Sequence, residues 1–595
     1  NYASTTSAFN TAVGYDAGIA VTTGVNNTLI GGLAGDAITT ADNNTALGYS
    51  ALGLNTTGAG NTAIGRTALE NNTTASDNVA VGRATLSQNT TGANNTAVGS
   101  LALLLNTTAS SNTAIGSESL TGNTTGTLNV GVGARALRSN TTANHNTAIG
   151  YKTLDVNTTG ASNTALGSEA LGANTTASNN TAVGYSALGL NTTGSENVAV
   201  GRFCLDANTT GQDNTAIGNS ALGGNTTASN NTAVGSTALV ANTTGANNTA
   251  VGSSALVANT TGSYNLAAGM VALDANTDGD FNTALGYGAL SDNTTASNNT
   301  AVGYFSLLRN TTGANNVAVG SLSLDANTTA SNNVAVGVSS LGINTTGAAN
   351  TALGDSALYN NTTASNNTAV GKSALEANTT GADNTAVGKS ALAANTTGTL
   401  NVAVGMNAVD ANTTGDKNTG IGQGALSSNT TADSNTAVGF ASLNANTTGI
   451  QNVVVGADAG DFITTGNYNV IMGYSATSHA SNLTTGSNNT VLGSYADLAT
   501  TSTSNANVLG HDVQGTQDYT TIGSGASDIR ALHGNITWAT VSDERYKKDI
   551  VDSEAGLSLI NALRPRTFKY KTLGELPETF SAYKADSTEV FKNTQ

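Results

Sequence analysis

The sequence is poor in charged, aromatic, proline and cysteine residues. Charged residues make up 10% of the 595-residue chain and aromatic residues 4%, whereas about 25% of a typical soluble domain is charged. So few large side chains exclude one thick hydrophobic core, and any core must consist of Ala, Val, Ile and Leu. An apolar content of 38% and a low charge density argue against disorder. A regular architecture with a thin core is therefore expected.

Other absences limit the kinds of partner and site. The 20 basic and 37 acidic residues give a net charge of -17, which excludes the basic surface that binds nucleic acid. No apolar run is long enough for a membrane-spanning helix. The single cysteine, Cys204, excludes a disulfide framework, and it stands at a position that other repeats fill with a small residue. The four histidines lack the spacing of metal ligands. We expect no metal and no other cofactor. Because the chain opens at Asn1 without an initiator Met, we also expect its natural N-terminus to be missing.

One short pattern repeats along most of the chain. A pentad of the type Asn-Thr-Ala-Val-Gly begins at Asn10 and returns every 17 residues up to Asn469, in 28 copies without an insertion or deletion. Counting each coil from its first Asn, Gly always stands in fifth place. In the 24 coils from Asn44 to Asn435, Leu stands in ninth place with one exception, and Asn always in twelfth place. A fixed period requires each repeat to dock on the next with the same geometry, as in a stacked solenoid.

The pentad alternates like a short strand. Thr or Val in second place and Val or Ile in fourth place lie on one face, and Ala in third place lies on the other. Gly in fifth place permits a corner, a second short strand runs through the eighth and ninth places, and Asn-Thr-Thr-Gly forms the return turn. The sequence predicts an all-β fold, a parallel β-solenoid with one coil per 17 residues over residues 1–473.

Stacked coils place like residues above like. Successive coils lie about 4.8 Å apart, so identical Asn side chains can hydrogen-bond along the stack. We expect about three apolar side chains per coil to point inward and the third-place Ala to form a smooth outer surface on which other chains pack. The 23 Asn-Thr-Thr turns are also glycosylation sequons, although stacking explains them without glycans. In one representative coil, the expected ladder residues are Asn95, Val98, Gly99, Leu103 and Asn106.

The ends of the array depart from this consensus. The coils beginning at Asn10, Asn27 and Asn452 carry Gly in ninth place and Val or Ile in twelfth place, which is typical of capping repeats. After Gly473 the period slips, which predicts an irregular distal cap over residues 474–541. Its aromatic side chains are suited either to contact a host receptor, glycan or protein, or to plug the end of the array. The expected contact residues are Tyr495, His511, Tyr519 and Trp538.

The repeat resembles the head domain of trimeric autotransporter adhesins. Aligned on its Gly, the segment Asn94-Asn95-Thr96-Ala97-Val98-Gly99 is similar to the N-S-V-A-I-G-type motif of that family. The resemblance implies a left-handed parallel β-roll and a homotrimer.

The C-terminal segment has a different composition. Ten of the 20 Lys and Arg residues lie in residues 528–595, and helix-like spacing before Pro565 is followed by strand-like alternation. These patterns predict a small α+β domain over residues 542–595. The run Ser542 to Ile550, S-D-E-R-Y-K-K-D-I, resembles the S-D-x-R-x-K-x-x-I signature of the endosialidase-type intramolecular chaperone domain. In that family the domain ends phage tail fibres and tailspikes, helps three chains find register, and then cuts itself off.

The resemblance implies a single self-cleavage event rather than a turnover enzyme. It makes Ser542 the essential serine, Lys547 its basic partner, and the bond between Ser542 and Asp543 the expected cut. A serine hydroxyl needs a base, and a lysine serves as one only when its pKa is lowered. Attack on the carbonyl of the preceding residue and attack by an activated water remain alternatives. Since the domain is usually longer, we expect truncation at the C-terminus. The supporting motif residues are Asp543, Glu544, Arg545 and Lys548.

Three functions from different classes fit these features. The first is a phage tail-fibre shaft in the virion tail, with a distal receptor contact and a C-terminal chaperone. The second is a trimeric adhesin on a bacterial cell surface. The third is an ice-binding solenoid, which is disfavoured because adjacent Thr residues point to opposite faces rather than forming one flat array.

Overall fold

The computed structural model describes residues 9–535, 539–540 and 584–589. Every regular element within these ranges is a β-strand, so the prediction of an all-β parallel solenoid is confirmed. The chain divides into two compact units, Asn1–Ala539 and Thr540–Gln595. In the second unit, the described residues include an ion pair in which Lys584 Nζ lies 3.9 Å from a Glu589 carboxylate oxygen.

Each 17-residue coil contributes one three-residue strand, formed by its second to fourth places. Successive strands pair in parallel with a constant offset of one coil, so that Ala97 lies between Ala80 and Ala114. The alternation of β-branched residues with Ala accounts for these strands, and they continue without interruption from the first coil to the twenty-eighth. The strands β1 to β28 are Thr11–Val13, Thr28–Ile30, Thr45–Leu47, Thr62–Ile64, Val79–Val81, Thr96–Val98, Thr113–Ile115, Val130–Val132, Thr147–Ile149, Thr164–Leu166, Thr181–Val183, Val198–Val200, Thr215–Ile217, Thr232–Val234, Thr249–Val251, Leu266–Ala268, Thr283–Leu285, Thr300–Val302, Val317–Val319, Val334–Val336, Thr351–Leu353, Thr368–Val370, Thr385–Val387, Val402–Val404, Thr419–Ile421, Thr436–Val438, Val453–Val455 and Val470–Met472.

The third-place Ala faces the inside of the coil. Ala97 is fully buried, whereas Val98 beside it is 36% exposed. The prediction that the Ala row forms an outer packing surface is therefore wrong. The rest of each coil folds over the third-place face, and little space remains there for a side chain larger than Ala. In an internal coil the apolar core consists of Ala97, Ala102 and Leu103 or their equivalents.

The eighth and ninth places form a tight turn instead of the predicted second strand. Leu101 and Leu103, in seventh and ninth place, have left-handed φ angles of 62° and 50°. A left-handed conformation costs a leucine about 1–2 kcal/mol. Burial of the Leu103 side chain, which contributes about 1.5–3 kcal/mol, offsets that cost. The second strand is wrong because two left-handed residues reverse the chain before it can extend.

The fifth-place Gly is required by the spacing between coils. Gly99 has a φ of 135°, and a Cβ added to it would lie 2.4 Å from the carbonyl oxygen of Gly116 in the next coil. Any other residue would force the coils apart. Its repetition in all 28 coils therefore has a direct steric reason.

Two buried Asn ladders run along the array. The backbone N–H and the Nδ2 of Asn112 both donate to Asn95 Oδ1, at 3.0 and 3.2 Å. In the second ladder, Asn123 Nδ2 donates to Asn106 Oδ1 at 2.9 Å. Asn95 and Asn106 also donate to one carbonyl, that of Ala109, at 2.9 Å each. The ladders thus join neighbouring coils and close each coil on itself.

The atypical coils fill the same core volume with different residues. A Cβ added to Gly35 would lie 2.8 Å from Ile38 Cδ1 and from Leu29 Cδ2, so these larger side chains occupy the space that Leu fills elsewhere. Replacing the twelfth-place Asn interrupts its ladder. Asn446 Oδ1 is buried without a hydrogen-bond donor among the described residues, because Ile463 stands where the next Asn would donate.

Parallel stacking continues beyond Gly473. β28 pairs with β29, β29 with β31 and β31 with β33, although the repeat length changes; the segment predicted as an irregular cap thus contains three further stacked strands. The antiparallel pairing of β33 with β34 then ends the parallel ladder. The remaining strands are β29 Thr490–Leu492, β30 Asp497–Leu498, β31 Asn507–His511, β32 Gln514–Gly515, β33 Tyr519–Ser524, β34 Ser527–Leu532 and β35 Ala539–Thr540.

Candidate functional site

Four aromatic side chains gather on the last coils of the solenoid. The ring of Tyr495 is met by those of Tyr474, His479 and His511, with centroids 5.3, 5.0 and 5.9 Å away and steeply inclined planes. These residues form the distal aromatic cluster. Tyr474 and His511 hold the sixth place of their coils and Tyr495 the seventh, so stacking brings them together. His479 lies on a three-residue insertion between the ninth and twelfth places.

The distal aromatic cluster contains two of the four residues expected from the sequence to contact a receptor. Tyr495 and His511 lie within it, whereas Tyr519 begins β33 and its backbone pairs with Leu532 in the hairpin. Trp538 lies outside the described residues. Sequence reasoning missed Tyr474 and His479. The regular place of Tyr474 in its coil and the insertion that carries His479 are the signals that were available.

His533 helps to hold the hairpin on the preceding coils. Its Nε2 lies 3.4 Å from Asn507 Nδ2 and 3.3 Å from Thr520 Oγ1. Because these partners belong to β31 and β33, the contacts tie the end of β34 to two parallel strands. His533 therefore connects the hairpin to the strands before it.

A groove with a volume of about 550 Å³ crosses four coils of the shaft, between Lys152 and Asp206. Gly172 and Gly189, which hold the tenth place of consecutive coils, contribute no side chain to its lining. Partial burial raises the pKa of the Asp206 carboxyl above its ordinary value. The volume is typical of small-molecule sites. In the sequence, the groove is marked by glycine in the tenth place of two consecutive coils. The other lining residues are Asp155, Val156, Glu169, Ala173, Ser186, Leu190 and Phe203.

One end of this groove is fixed by an ion-paired carboxylate. Arg135 Nη2 lies 3.0 Å from Asp155 Oδ2, and Arg138 Nε lies 2.9 Å from Asp155 Oδ1. The Asp155 side chain is only 10% exposed, so the two guanidinium groups compensate the charge of a largely buried carboxylate. These three residues connect two neighbouring coils.

The residue types suited to metal or thiol chemistry are not arranged for it in the described part of the chain. No group of three or more His, Cys, Asp or Glu side chains suited to a metal ion occurs within the described ranges. Burial raises the pKa of the Cys204 thiol to about 12, and its Sγ donates to the carbonyl of Ala216 at 3.1 Å. A thiol in this state is unreactive at neutral pH. Within the described part of the chain, no helix is long and apolar enough to cross a membrane.

The Asn residues of the Asn-Thr-Thr sequons are engaged in the second ladder. Asn106 is fully buried, and its Nδ2 donates to Asn89 Oδ1 and to the carbonyl of Ala109. This nitrogen is the atom to which an N-linked glycan would be attached. In the folded solenoid, the sequons therefore serve stacking.

The expected self-cleavage residues lie outside the described part of the chain. They are Ser542 and Lys547, with Asp543, Glu544, Arg545 and Lys548, and their arrangement stays a prediction.

Comparison with known proteins bears on this segment. Residues 542–586 match the family model described as "Chaperone of endosialidase". The match covers less than a tenth of the chain. The comparisons with curated proteins and with solved structures gave no match. The chain thus combines a parallel β-solenoid with a C-terminal segment that resembles the endosialidase chaperone domain.

Proposed function

We propose that this chain is the shaft of a phage tail fibre, which forms a homotrimer with the help of a self-cleaving C-terminal chaperone. The distal aromatic cluster then provides a contact for a host receptor, glycan or protein, outside the cell. The observation that carries the proposal is the combination, in one chain, of a long periodic solenoid and the segment that matches the chaperone family.

The periodicity itself gives a reason for such a chaperone. If identical solenoids pack side by side, a shift by one coil loses only about one of the 28 coil contacts. The free energies of neighbouring registers then differ by a small part of the total, so the shaft selects its register weakly. A folded, non-periodic domain at one end removes this degeneracy. After assembly the domain has no further role in register, which is consistent with its removal.

In the proposed cleavage, Lys547 accepts the proton of the Ser542 hydroxyl and returns it to the departing amine. In the first route the Ser542 oxygen is the nucleophile. Attack on the carbonyl of Val541 forms an ester and frees the Ser542 amine, and water then hydrolyses the ester. In the alternative route, the deprotonated Ser542 side chain activates a water molecule. This water attacks the carbonyl of Ser542 and frees the Asp543 amine. Either route consumes one water molecule. The released fragment begins at Ser542 in the first route and at Asp543 in the second.

Intact-mass measurement of the full-length gene product tests the cleavage. We expect wild type to yield two fragments, Ser542→Ala to yield one uncleaved chain, and the control Ser553→Ala to be cut like wild type. The mass of the released fragment distinguishes the two routes. Uncleaved wild-type protein, or cleavage of Ser542→Ala, would contradict the proposed chemistry. A monomeric wild type would contradict the proposed trimer independently of cleavage.

The side-chain contacts favour a fibre over an ice-binding solenoid. The hydroxyl of Thr107, in thirteenth place, donates to the carbonyl of Thr124 at 3.2 Å. Thr108, in fourteenth place, is exposed. Along the stack, the Asn-Thr-Thr turns thus present one exposed row of Thr side chains, from the fourteenth places, rather than two parallel rows. Between phage and cellular adhesin, neighbouring genes for baseplate or capsid proteins are the direct discriminator.

A further inference from the structure

One outer face of the solenoid is uncharged along its entire length, and one of its two rows of side chains is wholly apolar. This face is formed by the second and fourth places of strands β1 to β28, and we call it the apolar face. The fourth-place side chains point away from the core and remain partly exposed, at 41% for Ile115, 38% for Ile149 and 40% for Ile217. Because all the strands pair in constant register, these side chains form one continuous row.

The composition of the apolar face is more restricted than exposure to water would require. Its second place holds only Thr, Val or one Leu, and its fourth place only Val, Ile, Leu, Ala or Met, in all 28 coils. Neither place holds a charged residue in any coil. The nearby sixth and seventh places, also on the surface, carry charged residues such as Arg66, Arg83 and Glu169. β-propensity explains a preference for branched residues but does not exclude Lys or Arg from a row of 28 surface positions, 12 of which are exposed and the others half-buried.

The size of the apolar face is that of a protein interface. Twelve of the 28 fourth-place side chains are exposed, each at 36–58%, so this row alone offers an area on the order of the 800 Å² that each partner of a specific interface buries. A soluble monomer rarely exposes one apolar patch larger than a few hundred Å². The face is therefore expected to be covered in the assembled protein.

We propose that further copies of this chain pack on the apolar face, parallel and in register, so that equivalent coils meet. This inference rests on the proposed multimeric fibre. The sequence predicted that chains pack on the third-place Ala, and the apolar face takes the place of that surface. A second copy presents rows with the same spacing of about 4.8 Å, so its side chains can pack between those of the first copy along the whole array. The absence of charge on the face also lets chains with a net charge of -17 approach without local repulsion.

Charged substitutions on two sides of the same coils test the interface. In the full chain, the face variant combines Ile115→Lys, Ile149→Lys and Ile217→Lys. The matched control combines Thr125→Lys, Thr159→Lys and Thr227→Lys, at exposed fourteenth places of the same three coils. Sedimentation equilibrium should show multimeric wild type and control, and a largely monomeric face variant whose far-UV circular dichroism equals that of wild type.

The outcomes separate the interface from the multimer itself. A folded face variant that remains as multimeric as the control would overturn the interface and leave the proposed fibre intact. A monomeric wild type would overturn both proposals. A third outcome is a face variant that fails to fold, and in that case cysteine cross-linking decides the question.

Cross-linking also tests the register. Ile217→Cys should form interchain disulfides under mild oxidation, because a parallel, in-register arrangement brings Ile217 of each copy together. Thr227→Cys, in the same coil but off the apolar face, should not. The buried Cys204 thiol, whose pKa is raised to about 12, contributes no background. Failure of Ile217→Cys to cross-link in a multimeric protein, or equal cross-linking of Thr227→Cys, would contradict the proposal.

Discussion

Replacing Asn106 by Ala should destabilise its coil by about 4 kcal/mol. The substitution removes the donor to Asn89 Oδ1 and the acceptor for Asn123 Nδ2, which lie 2.8 and 2.9 Å from the Asn106 amide. Both partners are fully buried, so each unpaired group costs about 1–3 kcal/mol. The cavity left by the amide adds on the order of 1 kcal/mol. The carbonyl of Ala109 keeps its bond from Asn95 and adds little to the loss.

Hydrogen–deuterium exchange is the suitable assay because the effect should be local. Each coil of a solenoid contacts only its neighbours, so peptides within residues 89–126 should exchange faster and peptides within residues 350–400 should not change. A loss of about 4 kcal/mol corresponds to exchange on the order of a thousandfold faster for amides that open locally. Thr108→Ala, in the same turn but exposed, should leave exchange nearly unchanged. Equal exchange in the two variants would refute the reasoning that the buried ladder stabilises the stack.

Two further matched pairs test the core and the corner of the coil. Leu103→Ala, at a fully buried position, should lower the free energy of unfolding by about 2–5 kcal/mol. Leu105→Ala, at a position 44% exposed, should lower it by less than about 0.5 kcal/mol. Chemical denaturation followed by circular dichroism measures both changes. Gly99→Ala should disrupt stacking, because its Cβ would lie 2.4 Å from the Gly116 carbonyl oxygen. Gly53→Ala, with its nearest contact at 3.5 Å, should be tolerated, and comparable soluble yield and melting of these two variants would contradict the steric explanation.

The sequence alone predicted the solenoid because its period is exact in length and repeated 28 times. Constant spacing admits only a stack of equivalent coils, and the Asn residues at the first and twelfth places predicted the ladders in general terms. The C-terminal motif is equally local, since it depends on residue types at short spacing. The match over residues 542–586 begins at Ser542, the first residue of the motif.

The sequence did not decide which strand face is inside. Alternation separates the third place from the second and fourth, but both faces are uncharged, so hydrophobicity alone does not distinguish core from surface. The closing turn decides it: the left-handed residues Leu101 and Leu103 direct the ninth-place side chain onto the small third-place Ala. Leucine has no preference for that backbone conformation. The presence of leucine at these places therefore does not indicate a turn in the sequence.

The distal aromatic cluster likewise depends on stacking. Tyr474, Tyr495 and His511 are 16 to 37 residues apart in the chain, and slipped repeat lengths hide their equivalence. The coils bring them together because the backbone ladder keeps its register while the turns absorb the extra or missing residues. The sequence thus determined the repeated unit and its spacing. Only the tertiary structure decided which side chains each coil buries and which it leaves on the surface, because that choice depends on how the turns close.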